Sequence, residues 1–387
     1  MNLKNKKILV VHNRYQSTGG EDIAVDEEVK FLSKFFDVRT LFFTNDLNNI
    51  FTQIKNLVLN KNLSSQKIIE NELKSFKPDY CIVHNTWFEA SLSIFEALDK
   101  RDIKTFIKLH NYRHECCSSF LAKKHLAGQK TCNACSFSKN RFQFFNKYYP
   151  ESYIKSFLII RYARKYLKIL KSNKYKLLVF GDFQKNRLID LGVNKDKIEI
   201  FPNYIPPMDS VKTDSNDKYI VYAGRISKDK GVDELINSFI NANLKEIKLK
   251  IVGDGPDLNN LQKKYLKKNI EFLGKKSHQE TLRYLSSSLG VITATKTFEG
   301  QPTLLCEASQ LGKISIFPRT GTISDFFVED YEFSFSQFNY HDLTTKIIKL
   351  INLKNKKVVE EQNKNYILNY LAEDILIKKL VNILKDF

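Results

Sequence analysis

The chain has 387 residues, which is enough for two or three domains of ordinary size. Its apolar fraction of 42% suffices for globular cores, and because no run approaches the ~18 to 20 consecutive apolar residues of a membrane span, we expect no membrane-spanning helix. The net charge of +19 calls for an anionic partner, and nucleic acid, an anionic membrane face and anionic small substrates all fit it.

The N-terminus, MNLKNKKILVVHNR, combines a basic start with the short apolar run ILVV. A secretory signal needs a longer apolar stretch and a small-residue cleavage site, so this segment predicts a first buried strand instead. We therefore expect a cytoplasmic protein, in which the six cysteines stay reduced.

Strand and helix patterns alternate through the first half of the chain. Apolar residues recur at helical spacing from about Glu21, at Val25, Val29, Leu32 and Phe36. Short apolar runs predict buried strands at KKILVVH, Val38–Phe43, Tyr80–His84, Thr105–His110 and Leu177–Phe180. Strands that return through helices predict a parallel sheet.

A polar stretch without periodicity, NYIPPMDSVKTDSNDK at 203–218, predicts a linker between two domains. A second alternating series follows it. Strands are predicted at YIVYAGR, LKIVGD, IEFLG, GVITAT and ISIFP, and helices from Gly231, at Leu258–Leu266, at His278–Ser287 and at FEGQPTLLCEA. Parallel sheets of this kind bind ligands at the carboxyl ends of their strands.

The stretch AGRISKDKG places two cations at such a strand end. Arg225 follows the strand, and Lys230 comes five residues later, just before Gly231 opens a helix. Arg offers a bidentate fork for phosphate oxygens and Lys a point charge, so the pair suits a phosphate group. The alternative is a surface loop with two solvated cations.

Two carboxylates surround a predicted helix start in FEGQPTLLCEA. Pro302 suits a first helical turn, so the N–H groups of Thr303 and Leu304 are predicted to face an anion. Glu299 lies before the helix and Glu307 in its second turn. They are predicted to accept hydrogen bonds from hydroxyls of the sugars on either side of a phosphate held at the helix start. The alternative is a first-turn acid and an ordinary exposed Glu.

These residues occur in the order and spacing of a known family. They are Gly224–Arg225, Lys230–Gly231, GDGP, FLGKK and E-x7-E, preceded by GGED at 19–22 and HNYR at 110–113. Over essentially its whole length the chain resembles the retaining glycosyltransferases of the GT-B fold, specifically family 4. YQSTGGED, HNYR and the downstream cysteines are similar to the branch that builds bacterial surface polysaccharides.

The resemblance implies an α/β fold of two doubly wound, Rossmann-like domains that face each other across a cleft. Residues 1–204 are then the acceptor-binding domain, 205–218 the linker and 219–371 the nucleotide-sugar-binding domain, and a helix at 372–387 crosses back to the first domain. The implied reaction moves a sugar from a nucleoside-diphosphate sugar to a saccharide or lipid-linked saccharide, with retention, in capsule, O-antigen or lipopolysaccharide biosynthesis.

The resemblance also implies roles for individual residues. Arg225 and Lys230 hold the donor diphosphate without a metal or other cofactor, Glu307 binds the ribose and Glu299 the transferred sugar. His110 lies near the anomeric centre, unless it is a core histidine at a strand end. The remaining contacts to the donor come from Gly19, Gly20, Gly224, Gly300, Gln301, Pro302, Thr303 and Leu304.

A cysteine cluster and a basic segment stand apart from these motifs. A CxxC at Cys132 and Cys135, with Cys116 upstream, predicts a structural zinc site, unless the cysteines are reduced thiols that pack a loop.

The segment 141–176 holds ten Lys or Arg against one acid, interleaved with aromatic residues. It predicts peripheral contact with the cytoplasmic face of an anionic inner membrane, where lipid-linked acceptors reside, or else a solvated helix with a core-facing stripe.

Three other functions fit part of the sequence. A sugar-nucleotide epimerase on the same fold is the nearest alternative among enzymes, and it would transfer no sugar to an acceptor. A nucleic-acid-binding protein would use the charge and the aromatic residues, but no recognition motif is present. A non-catalytic membrane-binding protein would not need Arg225, Lys230, Glu299 and Glu307 together.

Overall fold

A computed structural model describes residues 3–15, 19–45, 56, 59, 61–114, 152–208, 217–266 and 268–387. The predicted zinc site at Cys116, Cys132 and Cys135 lies outside the described residues. So do 141–151 of the basic segment and 209–216 of the predicted linker.

The described residues form two compact units. The first unit contains the residues up to Tyr204 together with Glu373–Phe387, and the second contains Ile205–Ala372. The last 15 residues of the chain therefore group with its first half.

Each unit contains one six-stranded sheet in which all neighbouring strands are parallel. The first sheet has the order β2-β1-β3-β4-β5-β6, and the second the order β12-β11-β10-β7-β8-β9. The strands are β1 (Lys7–Arg14), β2 (Asp37–Thr44), β3 (Tyr80–Val83), β4 (Lys104–Lys108), β5 (Tyr175–Val179), β6 (Ile198–Ile200), β7 (Tyr219–Ala223), β8 (Lys248–Val252), β9 (Ile270–Gly274), β10 (Gly290–Ile292), β11 (Ser315–Arg319) and β12 (Ser334–Ser336).

Helices connect most of these strands. They are α1 (Gly20–Ser33), α2 (Leu63–Phe76), α3 (Ile94–Asp99), α4 (Tyr153–Lys171), α5 (Asp182–Asp190), α6 (Val232–Asn241), α7 (Leu258–Lys264), α8 (His278–Ser287), α9 (Thr303–Gln310), α10 (Tyr340–Asn352), α11 (Lys356–Tyr370) and α12 (Glu373–Lys385). Among the described residues, no helix is both long enough and apolar enough to span a bilayer.

Helices pack on both faces of the first sheet. Side chains alternate along each strand, so every strand contributes residues to both faces. On β1, Leu9 and Val11 pack into a cluster with residues of α2, α3 and α4. Ile8 and Val10 point the other way, into a cluster with residues of α1 and α12. Strands buried on both sides read as continuous apolar runs, which is why ILVV predicts one.

The predicted α/β class with two parallel sheets is confirmed, and the strand–helix alternation is present in both units. The predicted strand ends at His84 and His110 are wrong, because β3 ends at Val83 and β4 at Lys108. Sequence reasoning also missed α10, α11 and two strands, β6 and β12. Each of these strands has three residues, too few to form a recognisable apolar run.

Candidate functional site

In the second unit, a tight turn after β7 carries the two predicted cations. Arg225 is exposed directly after the strand, and Lys230 ends a single helical turn at 228–230. Gly231 follows with φ 66°, and a Cβ there would lie 2.1 Å from the carbonyl oxygen of Ala294. Only glycine permits this approach, which brings Lys230 against the loop after β10.

Lys230 and Glu299 form an ion pair, with Lys230 Nζ 2.5 Å from Glu299 Oε1. The same oxygen accepts hydrogen bonds from the hydroxyls of Thr295 at 2.6 Å and Thr297 at 3.3 Å. Burial acts to lower the pKa of Lys230, but the attraction of Glu299 outweighs it, and the pKa is raised above its usual value. The ammonium therefore stays charged at neutral pH and is held in one place.

The loop after β11 fixes the backbone at Glu299. The N–H of Thr322 donates to the carbonyl of Glu299 at 3.0 Å, and the Thr322 hydroxyl donates to the carbonyl of Gly300 at 2.6 Å. Gly321 packs directly on this segment with φ 58°, so that a Cβ there would lie 2.2 Å from the Glu299 oxygen and 2.5 Å from its nitrogen.

We expect Gly321→Ala to destabilise the second unit more than Gly312→Ala and to weaken any ligand binding that depends on Glu299. Gly312 has φ 69°, and a Cβ built there meets no atom within 4 Å, so an alanine at 312 adds only left-handed backbone strain, about 1–2 kcal/mol. An alanine at 321 adds the same strain and also displaces Glu299. Differential scanning calorimetry of the two variants measures the difference, and equal losses of stability would contradict this account.

Helix α9 begins next to Glu299, with Pro302 as the residue that precedes its first turn. The prediction that the Thr303 N–H faces an anion is wrong, because it donates to the carbonyl of Gln301 at 3.0 Å. A proline-led turn folds back on the residue before it, which occupies this donor. The Leu304 N–H has no hydrogen-bond partner among the described residues, and Gln301 is half-buried beside it.

Glu307 is buried, with 5% of its surface exposed, so its interpretation as an ordinary exposed Glu is wrong. Its Oε1 lies 2.9 Å from Nε2 of His278, whose side chain is 44% exposed. His278 is the first residue of α8, which is capped reciprocally by Ser277 and Glu280. Sequence reasoning located this helix start but missed His278 as the partner of Glu307.

The structure thus places the sequence-predicted residues of the second unit on neighbouring strand ends. Lys230 and Glu299 are in contact. The positive charge of Arg225 lowers the pKa of Lys230, whereas Glu299 raises it. Gly224 is exposed beside Arg225, and Gly300 leads from Glu299 to the start of α9. The arrangement offers fixed positive charge next to carboxylates, which suits a phosphorylated ligand with hydroxyl groups.

The predicted residues of the first unit lie at the carboxyl ends of β1 and β4. Gly19 precedes α1, and its N–H donates to Asp22 Oδ2 at 2.9 Å, while a Cβ built on Gly20 would meet no atom within 4 Å. His110 follows β4 and lies against His84. In the described part of the chain, no group of three or more His, Cys, Asp or Glu is arranged to hold a metal ion.

Comparison with known proteins gives a family match for the second unit and fold matches for the chain. Residues 208–367 match the family model of glycosyl transferases group 1. A search of curated proteins returned no significant match.

Three solved structures share the fold over nearly the full length. They are HepE from Anabaena in complex with UDP-glucose (14% identity, 98% of this chain and 100% of that one, TM-score 0.71), sucrose-phosphate synthase from Thermosynechococcus elongatus (11%, 98% and 98%, 0.71) and the lipopolysaccharide outer core galactosyltransferase WaaB in its apo form (14%, 98% and 99%, 0.64). At these identities the likeness shows the fold alone, and it confirms the predicted GT-B class.

Proposed function

We propose that the protein is a glycosyltransferase that takes a sugar from a nucleoside-diphosphate sugar. The observation that carries the proposal is the Lys230–Glu299 ion pair at the start of α9, within the segment that matches glycosyl transferases group 1. Among the proteins that share this fold, HepE has been solved in complex with UDP-glucose and with UDP. WaaB is a lipopolysaccharide outer core galactosyltransferase.

Each residue of the pair then has a role in donor binding. An ammonium carries three donors, so Lys230 can keep its bond to Glu299 and also bind a diphosphate oxygen. Arg225 contributes a second cation, and the Leu304 N–H at the start of α9 a neutral donor. Glu299 accepts from hydroxyls of the transferred sugar, and the buried Glu307 accepts from the ribose.

The chemistry that these residues support is departure of a nucleoside diphosphate. Negative charge grows on the leaving phosphate, and fixed positive groups stabilise it because they need no reorganisation during the reaction. We propose that Lys230 and Arg225 supply this stabilisation without a metal, and that the transfer retains configuration, as in the family 4 enzymes that the sequence resembles. Product stereochemistry determined by NMR tests the retention.

We also propose an acceptor that is saccharide or lipid-linked, at the cytoplasmic face of the membrane, in surface polysaccharide synthesis. The support is α4, where Ile154 and Phe157 are 75% and 51% exposed. Phe157 also lines a groove of about 480 Å³, together with further apolar and basic residues, Leu59, Ile160, Arg161, Arg164, Lys165 and Lys168. Exposed apolar groups next to cations suit an anionic headgroup region, and flotation with anionic and neutral vesicles measures this contact.

We expect one of UDP, GDP, dTDP and ADP to raise the melting temperature of the protein, and CMP, with its single phosphate, to have a smaller effect. A ligand at about 100 times its dissociation constant stabilises the folded state by ~2.7 kcal/mol. Glu307→Gln should reduce this rise in melting temperature, because one carboxylate oxygen that accepts from the ribose is replaced by an NH2 group that can only donate. Glu329→Gln, at an exposed position, should leave the rise unchanged. If no nucleotide stabilises the well-folded wild type, the proposed function is wrong.

A further inference from the structure

Two histidines meet at the carboxyl end of the first sheet. His84 follows β3 and His110 follows β4, and these strands are neighbours in the sheet. Nδ1 of His84 lies 2.8 Å from Nε2 of His110, with ring centroids 5.1 Å apart. At this distance one nitrogen donates a hydrogen and the other accepts it.

Both rings are neutral at physiological pH. Burial lowers the pKa of His84 well below its usual value, and the neighbouring His110 and Lys108 lower it further. Burial likewise lowers the pKa of His110, with added repulsion from Lys108 and His12. Each ring therefore carries one proton, and the remaining question is which nitrogen bears it.

The far nitrogen of His84 answers that question. His84 Nε2 is buried and has no hydrogen-bond partner among the described residues. A proton there would create an orphaned buried N–H, which is rare in proteins, whereas an unused lone pair is better tolerated. The proton of His84 therefore belongs on Nδ1, the atom that faces His110.

We propose that His84 is a positioning residue that donates from Nδ1 to Nε2 of His110, and so fixes His110 as a ring whose only N–H is at Nδ1. His110 Nδ1 has no partner in the described part of the chain, and the ring is half-buried. His110 thus presents a hydrogen-bond donor to an oxygen of a bound sugar. It does not act as a general base, because its lone pair is already used. This assignment rests on the proposed function for its ligand, though not for its geometry.

The tautomer is measured directly on the full-length protein with 15N-labelled histidine. Long-range 1H–15N spectra distinguish protonated from unprotonated ring nitrogens, and His110→Asn and His84→Asn assign the two rings. We expect both rings to be protonated at Nδ1 and unprotonated at Nε2 throughout about pH 6 to 8, the range in which an ordinary histidine titrates. A proton on His110 Nε2, or a charged His110 ring in that range, would overturn the proposal.

Two substitutions at position 84 separate positioning from packing. His84→Asn keeps an amide N–H near the position of Nδ1, and His84→Leu keeps bulk without a donor. We expect His110 to keep its tautomer in the first variant and to become a mixture in the second. With a sugar donor that contains the nucleoside diphosphate found to stabilise the protein, kcat/KM should fall about tenfold in His84→Leu, equivalent to one net hydrogen bond, and recover in His84→Asn.

The outcomes separate the two proposals. Removal of the exposed His341, as His341→Asn, controls for loss of a histidine elsewhere. Equal activity of folded His84→Leu and wild type would overturn the positioning role. Absence of any nucleotide binding by the wild type would instead overturn the proposed function, and the spectra would still decide the tautomer.

Discussion

Lys230→Ala is expected to lower kcat/KM by about 10²–10³-fold, the loss seen when a preorganised group that stabilises developing charge is removed. Lys230 Nζ is held 2.5 Å from Glu299 Oε1, and the pKa of Lys230 is raised, so the ammonium is charged at neutral pH and its position is fixed. The variant loses the proposed contact with the diphosphate and also releases Glu299 from its partner. Steady-state kinetics with a sugar donor of the stabilising nucleoside diphosphate measure the loss. Nucleotide binding by calorimetry shows how much of that loss lies in ground-state affinity.

Lys228→Ala is the matched control because Lys228 is exposed and lies in the same turn. It should retain wild-type activity, since it removes the same charge from the same loop without touching Glu299. The double variant Lys230→Ala/Glu299→Gln should lose less than the sum of the single losses, because the two groups act as a unit. Equal, small effects of Lys228→Ala and Lys230→Ala would show that the loop contributes only general positive charge.

Lys108→Met is expected to destabilise the first unit by ~3–5 kcal/mol, the cost of leaving one member of a buried ion pair without its partner. Lys108 and Glu28 are both fully buried and form a salt bridge between β4 and α1. The second carboxylate oxygen of Glu28 has no hydrogen-bond partner among the described residues, so its charge depends on Lys108. Burial also lowers the pKa of Lys108, which shows that the pair is poorly solvated.

The chain supplies a selective probe for this measurement. Trp87 is the single tryptophan, and it is buried in the first unit against Tyr162, so its fluorescence in urea follows that unit alone. Lys104→Met, at the exposed start of the same strand, should change stability by no more than ~0.5 kcal/mol. Lys108→Met/Glu28→Leu should recover much of the loss, because neither charge is then left buried. A double variant as unstable as Lys108→Met would contradict this account.

The amino-acid sequence predicted the elements whose signals are local. The buried strands read as apolar runs, and Gly231 and Pro302 marked the starts of α6 and α9. The same signals placed Arg225 and Lys230 after a strand, Glu299 before a helix and Glu307 in its second turn. The structure brings Lys230 and Glu299 into contact.

Features that depend on pairing across the chain could not be predicted in this way. The partner of Glu307 is His278, 29 positions earlier, and no local pattern joins the two. Lys108 lies 80 positions from Glu28, and a lysine in an apolar strand looks like an exposed edge residue until its partner is known. The loss of the Thr303 donor depends on the dihedral angles of one turn, which residue types leave open.

Helix α12 has a consequence for how the protein is made. Its residues Leu376, Leu380 and Ile383 belong to the same apolar cluster as Ile8 and Val10 of the first strand. A ribosome therefore completes all the strands of the first sheet long before it makes the helix that, together with α1, covers one of its faces. During that interval the nascent chain keeps an apolar surface uncovered, and such a surface is where chaperones bind and aggregation begins. The order of synthesis thus prevents the first half of the chain from completing its fold until α12 has been made.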